Sequence, residues 1–164
     1  MLFRVLITVL LACIIQIFPG TASAAAGIDL SKALVIGNGP KKVLEFTDPD
    51  CPFCRKASAY FHKRTDVTRY VFFSPLPMHP HARPKAQHIL SGPDKARLYH
   101  EVMSGSVDRM DSSKLPVTPQ GIKLLEEQQT IAKKAGIDST PTFMIMGRII
   151  EGFDLPKIEE LLGK

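Results

Sequence analysis

Cys51 and Cys54 stand three positions apart in the run Asp48-Pro49-Asp50-Cys51-Pro52-Phe53-Cys54, and two thiols at that spacing at the mouth of a helix can exchange with a disulfide. Pro52 suits the first helical position, because its ring presets φ and the N–H it lacks would have no intrahelical partner there. Cys51 is then the N-cap, where unpaired amides and the positive end of the helix dipole favour thiolate over thiol. Its pKa is expected below the ordinary value of about 8.5. Cys54 follows one helical turn on, on the same face, within disulfide reach but further into the helix. One sulfur is placed to attack and the other to resolve, with Pro52 and Phe53 forming the turn between them. The rival use of two thiolates is a tetrahedral zinc site completed by His79 and His81, or by His62, with Met78 suiting Cu(I). A metal-binding or metallochaperone module is therefore the alternative of a different class. The chain has no second Cys-x-x-Cys, and proline-rich loops often hold exposed histidines, so redox chemistry is preferred and neither metal nor cofactor is expected. His88 and His100 read as helix surface.

The elements that must hold the two sulfurs can be read around them. Lys42 to Thr47 is an apolar, β-prone run leading into the cysteine turn, and Ala33 to Ile36 before it is another, the two joined by the turn residues Gly37-Asn38-Gly39-Pro40. From Cys51 to about Arg64 the pattern is helical, with Cys54, Ala57, Ser58 and Phe61 on the buried face. Val67 to Ser74 is the next strand, so strand, helix and strand form a βαβ unit with parallel strands. Pro75 to Pro84 is too rich in proline for regular structure. Lys85 to Leu90 and Asp94 to Ser104 look helical, and Thr118-Pro119 opens a helix of about 17 residues that stops at Gly136. This middle block, about 80–136, reads as a helical insert. Thr142 to Met146 and Ile149 to Glu151 flank Gly147-Arg148, which suits a type II′ hairpin. A last helix from near Pro156 should bury Leu155, Ile158, Leu161 and Leu162. The expected architecture is α/β, a mixed sheet between helices.

Met1 to Ala24 is read apart from the fold. One arginine, an apolar run from Val5 to Phe18, a Pro19-Gly20 break and Ala22-Ser23-Ala24 make a signal peptide with its cleavage site. An apolar run of about 14 residues is too short for a membrane span, which needs about 20, and the residues after Cys13 make a poor lipid-attachment context. Export is expected, to the periplasm if the source is Gram-negative. Residues 25–164 then form one domain of about 140 residues. The chain's formal charge of +5 falls to about +4 with Arg4 removed, and without a Lys/Arg run or an aromatic-basic stripe it does not argue for nucleic acid. Of three cysteines, Cys13 leaves with the signal, and a bridge across two residues constrains the unfolded chain little. The remaining pair is better explained by redox chemistry than by stapling.

A Cys-x-x-Cys after a strand and before a helix in a βαβ context is the signature of a thioredoxin-like redox motif. Phe46-Thr47-Asp48-Pro49-Asp50-Cys51-Pro52-Phe53-Cys54 resembles the active-site segment of bacterial periplasmic disulfide isomerases of the DsbC/DsbG type, and Ser139-Thr140-Pro141-Thr142 resembles their later loop. The resemblance runs from about Val35 to Leu162 and implies a thioredoxin-like fold and thiol:disulfide interchange. It implies a cis Pro141 packed beside the redox pair, with Thr140 touching the substrate backbone. Proteins with disulfides or dithiols are the implied substrates, and a DsbD-type membrane reductant the implied partner if the chain works reduced. Glu45, an acid inside an apolar strand, holds the position at which thioredoxins and DsbA-type oxidases carry a proton relay to the resolving cysteine. It offers the same relay to Cys54, or else a side chain reaching solvent at the sheet rim. The chain departs from the DsbC/DsbG pattern twice: only about 16 residues separate the cleavage site from Lys41, too few for those proteins' dimerisation domain, and Ser91 stands where their insert has a disulfide cysteine. A monomer is expected, with isomerase, reductase and DsbA-like oxidase directions all open.

Overall fold

The structure, a computed structural model, describes residues 27–164; the expected signal segment lies outside the described residues. Five strands form one sheet in the order β1-β3-β2-β4-β5: β1 Leu34–Ile36, β2 Lys41–Thr47, β3 Val67–Phe73, β4 Thr142–Ile145 and β5 Arg148–Glu151. β2 and β3 run parallel, in the register Glu45↔Val71 and Thr47↔Phe73, and the other three pairings are antiparallel. The βαβ unit therefore forms as its sequence indicates, and β2, which feeds the cysteine turn, is the central strand.

The helices are α1 Pro52–Phe61, α2 Ala82–Ser91, α3 Lys95–Met103, α4 Pro119–Lys134 and α5 Leu155–Leu162. Alternation along β2 divides the core. Val43 points to the face covered by α1 and α5, where Ala57, Phe61, Phe143, Ile145, Ile158 and Leu162 pack. Leu44 and Phe46 point to the opposite face, where they meet Phe72, Met144 and the Ile131–Ala135 end of α4. α1 buries Cys54, Ala57, Ser58 and Phe61, the four positions its periodicity selects. Three helix starts carry the caps their sequences call for: Asp94 accepts from the Arg97 amide, Thr118 from the Gly121 amide and Asp154 from the Lys157 amide.

Three details differ from the sequence reading. α2 begins at Ala82, so Arg83 and Pro84 join its first turn, where proline's missing N–H costs no helical bond. The β4–β5 turn is Met146-Gly147 rather than Gly147-Arg148, because Ile145 pairs with Arg148. Both turn residues have positive φ, 51° and 79°, which is type I′ and not II′. α5 fully buries Ile158 and Leu162 but only partly Leu155 and Leu161. Ser91, at the end of α2, donates to the Gln87 carbonyl and accepts from the Thr118 amide at 2.8 Å, tying α2 to the start of α4. Gly121 makes that approach possible, since a Cβ there would lie 2.9 Å from the Ser91 backbone.

Candidate active site

At the end of β2 the chain turns through Asp48-Pro49-Asp50 into α1. Asp48 builds the turn: its carboxylate accepts from the Asp50 amide at 2.7 Å and its carbonyl from the Cys51 amide at 3.2 Å, the bonding of an Asx turn. Cys51 has extended backbone angles and is the N-cap of α1, with Pro52 next. Both cysteines carry free thiols and both are buried, Cys51 with 5% of its surface exposed and Cys54 with none.

The two sulfurs sit in unlike surroundings. The Cys51 pKa is lowered to about 6, chiefly by the neighbouring Cys54 thiol, with a further lowering from the Cys54 and Phe53 amides at the helix start. Burial acts the other way and is outweighed. Cys54 is pushed far up by burial and by its place as donor to Cys51, so it stays a thiol until Cys51 is consumed. The Asp48 amide lies 3.4 Å from the Cys54 sulfur.

The loop before β4 closes the site. The Thr140-Pro141 peptide bond is cis, and the Cys51 sulfur lies 3.5 Å from the Thr140 carbonyl oxygen. Thr140 and Pro141 are thus brought against Cys51 from 89 residues away in the chain. Phe53, between the cysteines, is 57% exposed and gives the rim an apolar surface.

Glu45 is elsewhere. It is fully buried rather than at a solvent rim; its carboxylate meets the Arg69 guanidinium at 2.7 and 2.9 Å and the Tyr99 hydroxyl at 3.4 Å. The Asp48 amide is the polar group bonded to the Cys54 sulfur, while the Glu45 carboxylate is bonded to Arg69 and Tyr99. The physical reason is charge: a buried carboxylate needs a cation, and Arg69, held between the Phe61 and Tyr99 rings at about 5 Å from each, supplies it.

The histidines named as candidate ligands have separate partners. His79 Nδ1 lies 2.9 Å from Asp48 Oδ2, His81 Nδ1 lies 3.0 Å from Ser112 Oγ, and His62 packs edge-on against His100. Among the described residues no group of three or more His, Cys, Asp or Glu side chains could hold a metal.

Two features escaped the sequence reading. Asp48 has no exposed surface and also accepts from the Leu76 amide at 2.7 Å and from His79, so it joins the cysteine turn to the proline-rich loop. The pattern Asp-Pro-Asp before Cys51 is its local signal. The second is an ion network beneath Asp50. Lys85 of α2, only 5% exposed, reaches Asp50 and Asp108 at 2.5 and 2.6 Å, while Arg55 of α1 binds Asp108 and the Pro49 carbonyl. Arg55 and Lys85 hold the Asp108 carboxyl well below its ordinary range. Its four side chains come from three segments, the cysteine turn with the start of α1, α2, and the loop after α3, and no spacing rule would bring Lys85 and Asp108 to the other two.

A family model described as a thioredoxin-like domain matches residues 28–156. The chain belongs to the thioredoxin-like domain family. Within that family it is similar to the disulfide interchange protein of Neisseria gonorrhoeae, whose crystal structure shares 33% identity and a TM-score of 0.69 over 82% of this chain and 95% of that one. It is 26% identical over 115 residues to a protein described as a probable thiol:disulfide interchange protein DsbC of Bordetella avium, covering 70% of this chain and 39% of that one. The chain thus spans about two fifths of the length of that curated relative. The catalytic domain of Proteus mirabilis ScsC has the same fold, with a TM-score of 0.61 at 22% identity over 87% and 98% of the two chains. The likeness to the Neisseria gonorrhoeae protein places this thioredoxin-like chain with the disulfide interchange proteins.

The pKa difference between the sulfurs gives a direct expectation. Thiolate is the reactive form, so alkylation of the reduced chain by iodoacetamide should rise through about pH 6 and level off, with Cys51 modified and Cys54 spared. A profile rising near pH 8.5 would mean that the helix start does not activate Cys51.

Proposed function

We propose that the chain is an exported thiol:disulfide oxidoreductase acting on protein disulfides, with Cys51 as nucleophile, Cys54 as resolving thiol, and Thr140 and Pro141 receiving the substrate backbone. The observation that carries this reading is the pair of free thiols at the start of α1, Cys51 at the N-cap and 3.5 Å from the Thr140 carbonyl oxygen beside a cis proline, and Cys54 fully buried behind it. The Cys51 thiolate attacks a substrate disulfide and forms a mixed disulfide. Either Cys54 then displaces the substrate thiolate, leaving Cys51 and Cys54 oxidised, or a substrate thiol resolves the bond and the enzyme returns reduced. The first route reduces the substrate and the second rearranges it.

Magnitudes favour release over attack as the gain from the low pKa. At pH 7 a thiol with a pKa of about 6 is about 90% ionised, against about 3% at 8.5, a gain of about 30-fold. Lower basicity costs about 10-fold in nucleophilicity, because the Brønsted slope is about 0.4–0.5. The net gain in attack is therefore small, while Cys51 as a leaving group improves by about another 10-fold. Cys51 leaves when a substrate thiol resolves the mixed disulfide, so the gain supports the isomerase route, most like DsbC or DsbG, over the reductase route, in which the substrate sulfur leaves. Electrons for that direction would come from a DsbD-type membrane donor. No helix among the described residues is long and apolar enough to cross a membrane.

Reactivation of a protein with scrambled disulfides by the reduced chain tests the direction. Recovery of activity in glutathione buffer, dependent on Cys51, is the expected result. Normal disulfide reduction without recovery would assign a reductase, and efficient dithiol oxidation by the oxidised chain with neither would assign a DsbA-like oxidase.

A further inference from the structure

Among the described residues, three buried side-chain polar atoms have no hydrogen-bond partner, and two of them are the hydroxyls of Thr47 and Thr140. A buried hydroxyl left unpaired is costly and calls for a reason. Thr140 lies in the loop against Cys51, where substrate backbone can use it. Thr47 is different. It is the last residue of β2, fully buried, with no access to substrate.

Its neighbourhood points to Cys54. The Thr47 carbonyl accepts from the Ser74 amide at 2.8 Å, and the next amide, of Asp48, points at the Cys54 sulfur at 3.4 Å. The backbone on both sides of the hydroxyl is therefore fixed, and the alternation that turns Val43 toward α1 turns Thr47 to the same face of β2, the face on which α1 buries Cys54. Cys54 is a thiol in the reduced enzyme and gives its proton to the bond with Cys51, which leaves its sulfur a weak acceptor. Thr47 gains little in that state. Once the sulfur carries negative charge the same geometry becomes a charge-assisted hydrogen bond.

We propose that the Thr47 hydroxyl is a catalytic group of the exchange reaction, donating to the Cys54 sulfur as it becomes a thiolate and forming with the Asp48 amide a two-donor cradle for that charge. The inference rests on the exchange reading above. In the mixed disulfide, Cys51 is bonded to the substrate sulfur. Cys54 gives up its proton to solvent, its thiolate attacks the Cys51 sulfur, the Cys51–Cys54 bond forms and the Cys51–substrate bond breaks. The electron pair leaves on the substrate sulfur, which takes up a proton from solvent; the cysteine pair is oxidised by two electrons and the substrate disulfide reduced. Thr47 keeps its own proton throughout. Because its bond strengthens only as charge develops, it lowers the barrier without stabilising the resting enzyme.

Single-turnover kinetics with a fluorescent disulfide peptide separate the two steps, formation of the mixed disulfide and its resolution. Thr47→Val, which keeps the shape and removes the hydroxyl, should slow resolution by about 10- to 100-fold, the loss expected for one hydrogen bond to a charged group. Formation of the mixed disulfide and the alkylation profile of Cys51 should be unchanged, and Thr47→Ser should restore resolution to within a few-fold of wild type. Thr47→Ala carries the same test should valine not fold. Resolution at the wild-type rate in the variants lacking the hydroxyl would overturn the role of Thr47 while leaving the exchange reading intact. A wild-type chain that forms no mixed disulfide would instead remove the exchange reading itself.

Discussion

Cys51→Ala should reduce disulfide exchange to the uncatalysed background, whereas Cys54→Ala should leave the first attack intact and stop the reaction at the mixed disulfide. The asymmetry follows from surroundings rather than from residue type. Cys51 is at the helix start, beside the Cys54 thiol and the Cys54 and Phe53 amides, and has its pKa lowered to about 6. Cys54 has no exposed surface and is held as a thiol by burial, so it has neither the charge nor the access to begin the reaction. Removing Cys54 also removes the largest source of the lowered Cys51 pKa. The Cys54→Ala variant should therefore attack disulfides with a profile that rises at higher pH than wild type. Stopped-flow measurement of substrate thiol release across pH 5 to 9 reads both effects. Equal loss in the two variants at the first step would contradict the assignment of separate roles.

Glu45→Gln should destabilise the fold by about 3 kcal/mol in urea unfolding while leaving resolution by Cys54 close to wild type. Glu45 and Arg69 are both essentially inaccessible and are bonded to each other, so neutralising one leaves the other charge buried without its partner. Loss of one member of a buried pair costs about 3–5 kcal/mol, and replacing both with apolar residues of similar size is often neutral. Glu45→Leu combined with Arg69→Met should accordingly recover much of what Glu45→Gln loses. A relay role makes the opposite forecast: near-normal stability and a slow resolution step. Measuring unfolding and single-turnover resolution on the same variant distinguishes the two.

The contrast between Cys51 and Glu45 shows which parts of this protein its sequence makes legible. The cysteine turn is local. A strand, Asp48-Pro49-Asp50, an N-cap and a first-turn proline are all encoded within a few residues, and the structure has each of them in place. The helix periodicities are readable for the same reason, as is the start of α4 at Thr118-Pro119. Glu45 could be identified as an acid in an apolar strand, but its partner could not. Arg69 becomes its neighbour only through the parallel β2–β3 register, and Tyr99 arrives from a helix 54 residues away. The network joining Asp50, Arg55, Lys85 and Asp108 has the same origin. The hairpin was misplaced by one residue because the turn puts a methionine at positive φ, a conformation that residue type does not announce. Thr47 looks like an ordinary strand threonine until its hydroxyl is found without a partner.

The central claim, that exchange proceeds through a covalent bond to Cys51, is tested most directly by the mass of a trapped intermediate. Reduced Cys54→Ala chain mixed with a peptide disulfide should give a single adduct heavier by one peptide thiol, located at Cys51 by digestion and removed by dithiothreitol. Wild type under the same conditions should pass through that adduct and end with Cys51 and Cys54 joined. No adduct on Cys54→Ala, with substrate disulfides still turned over, would contradict the account.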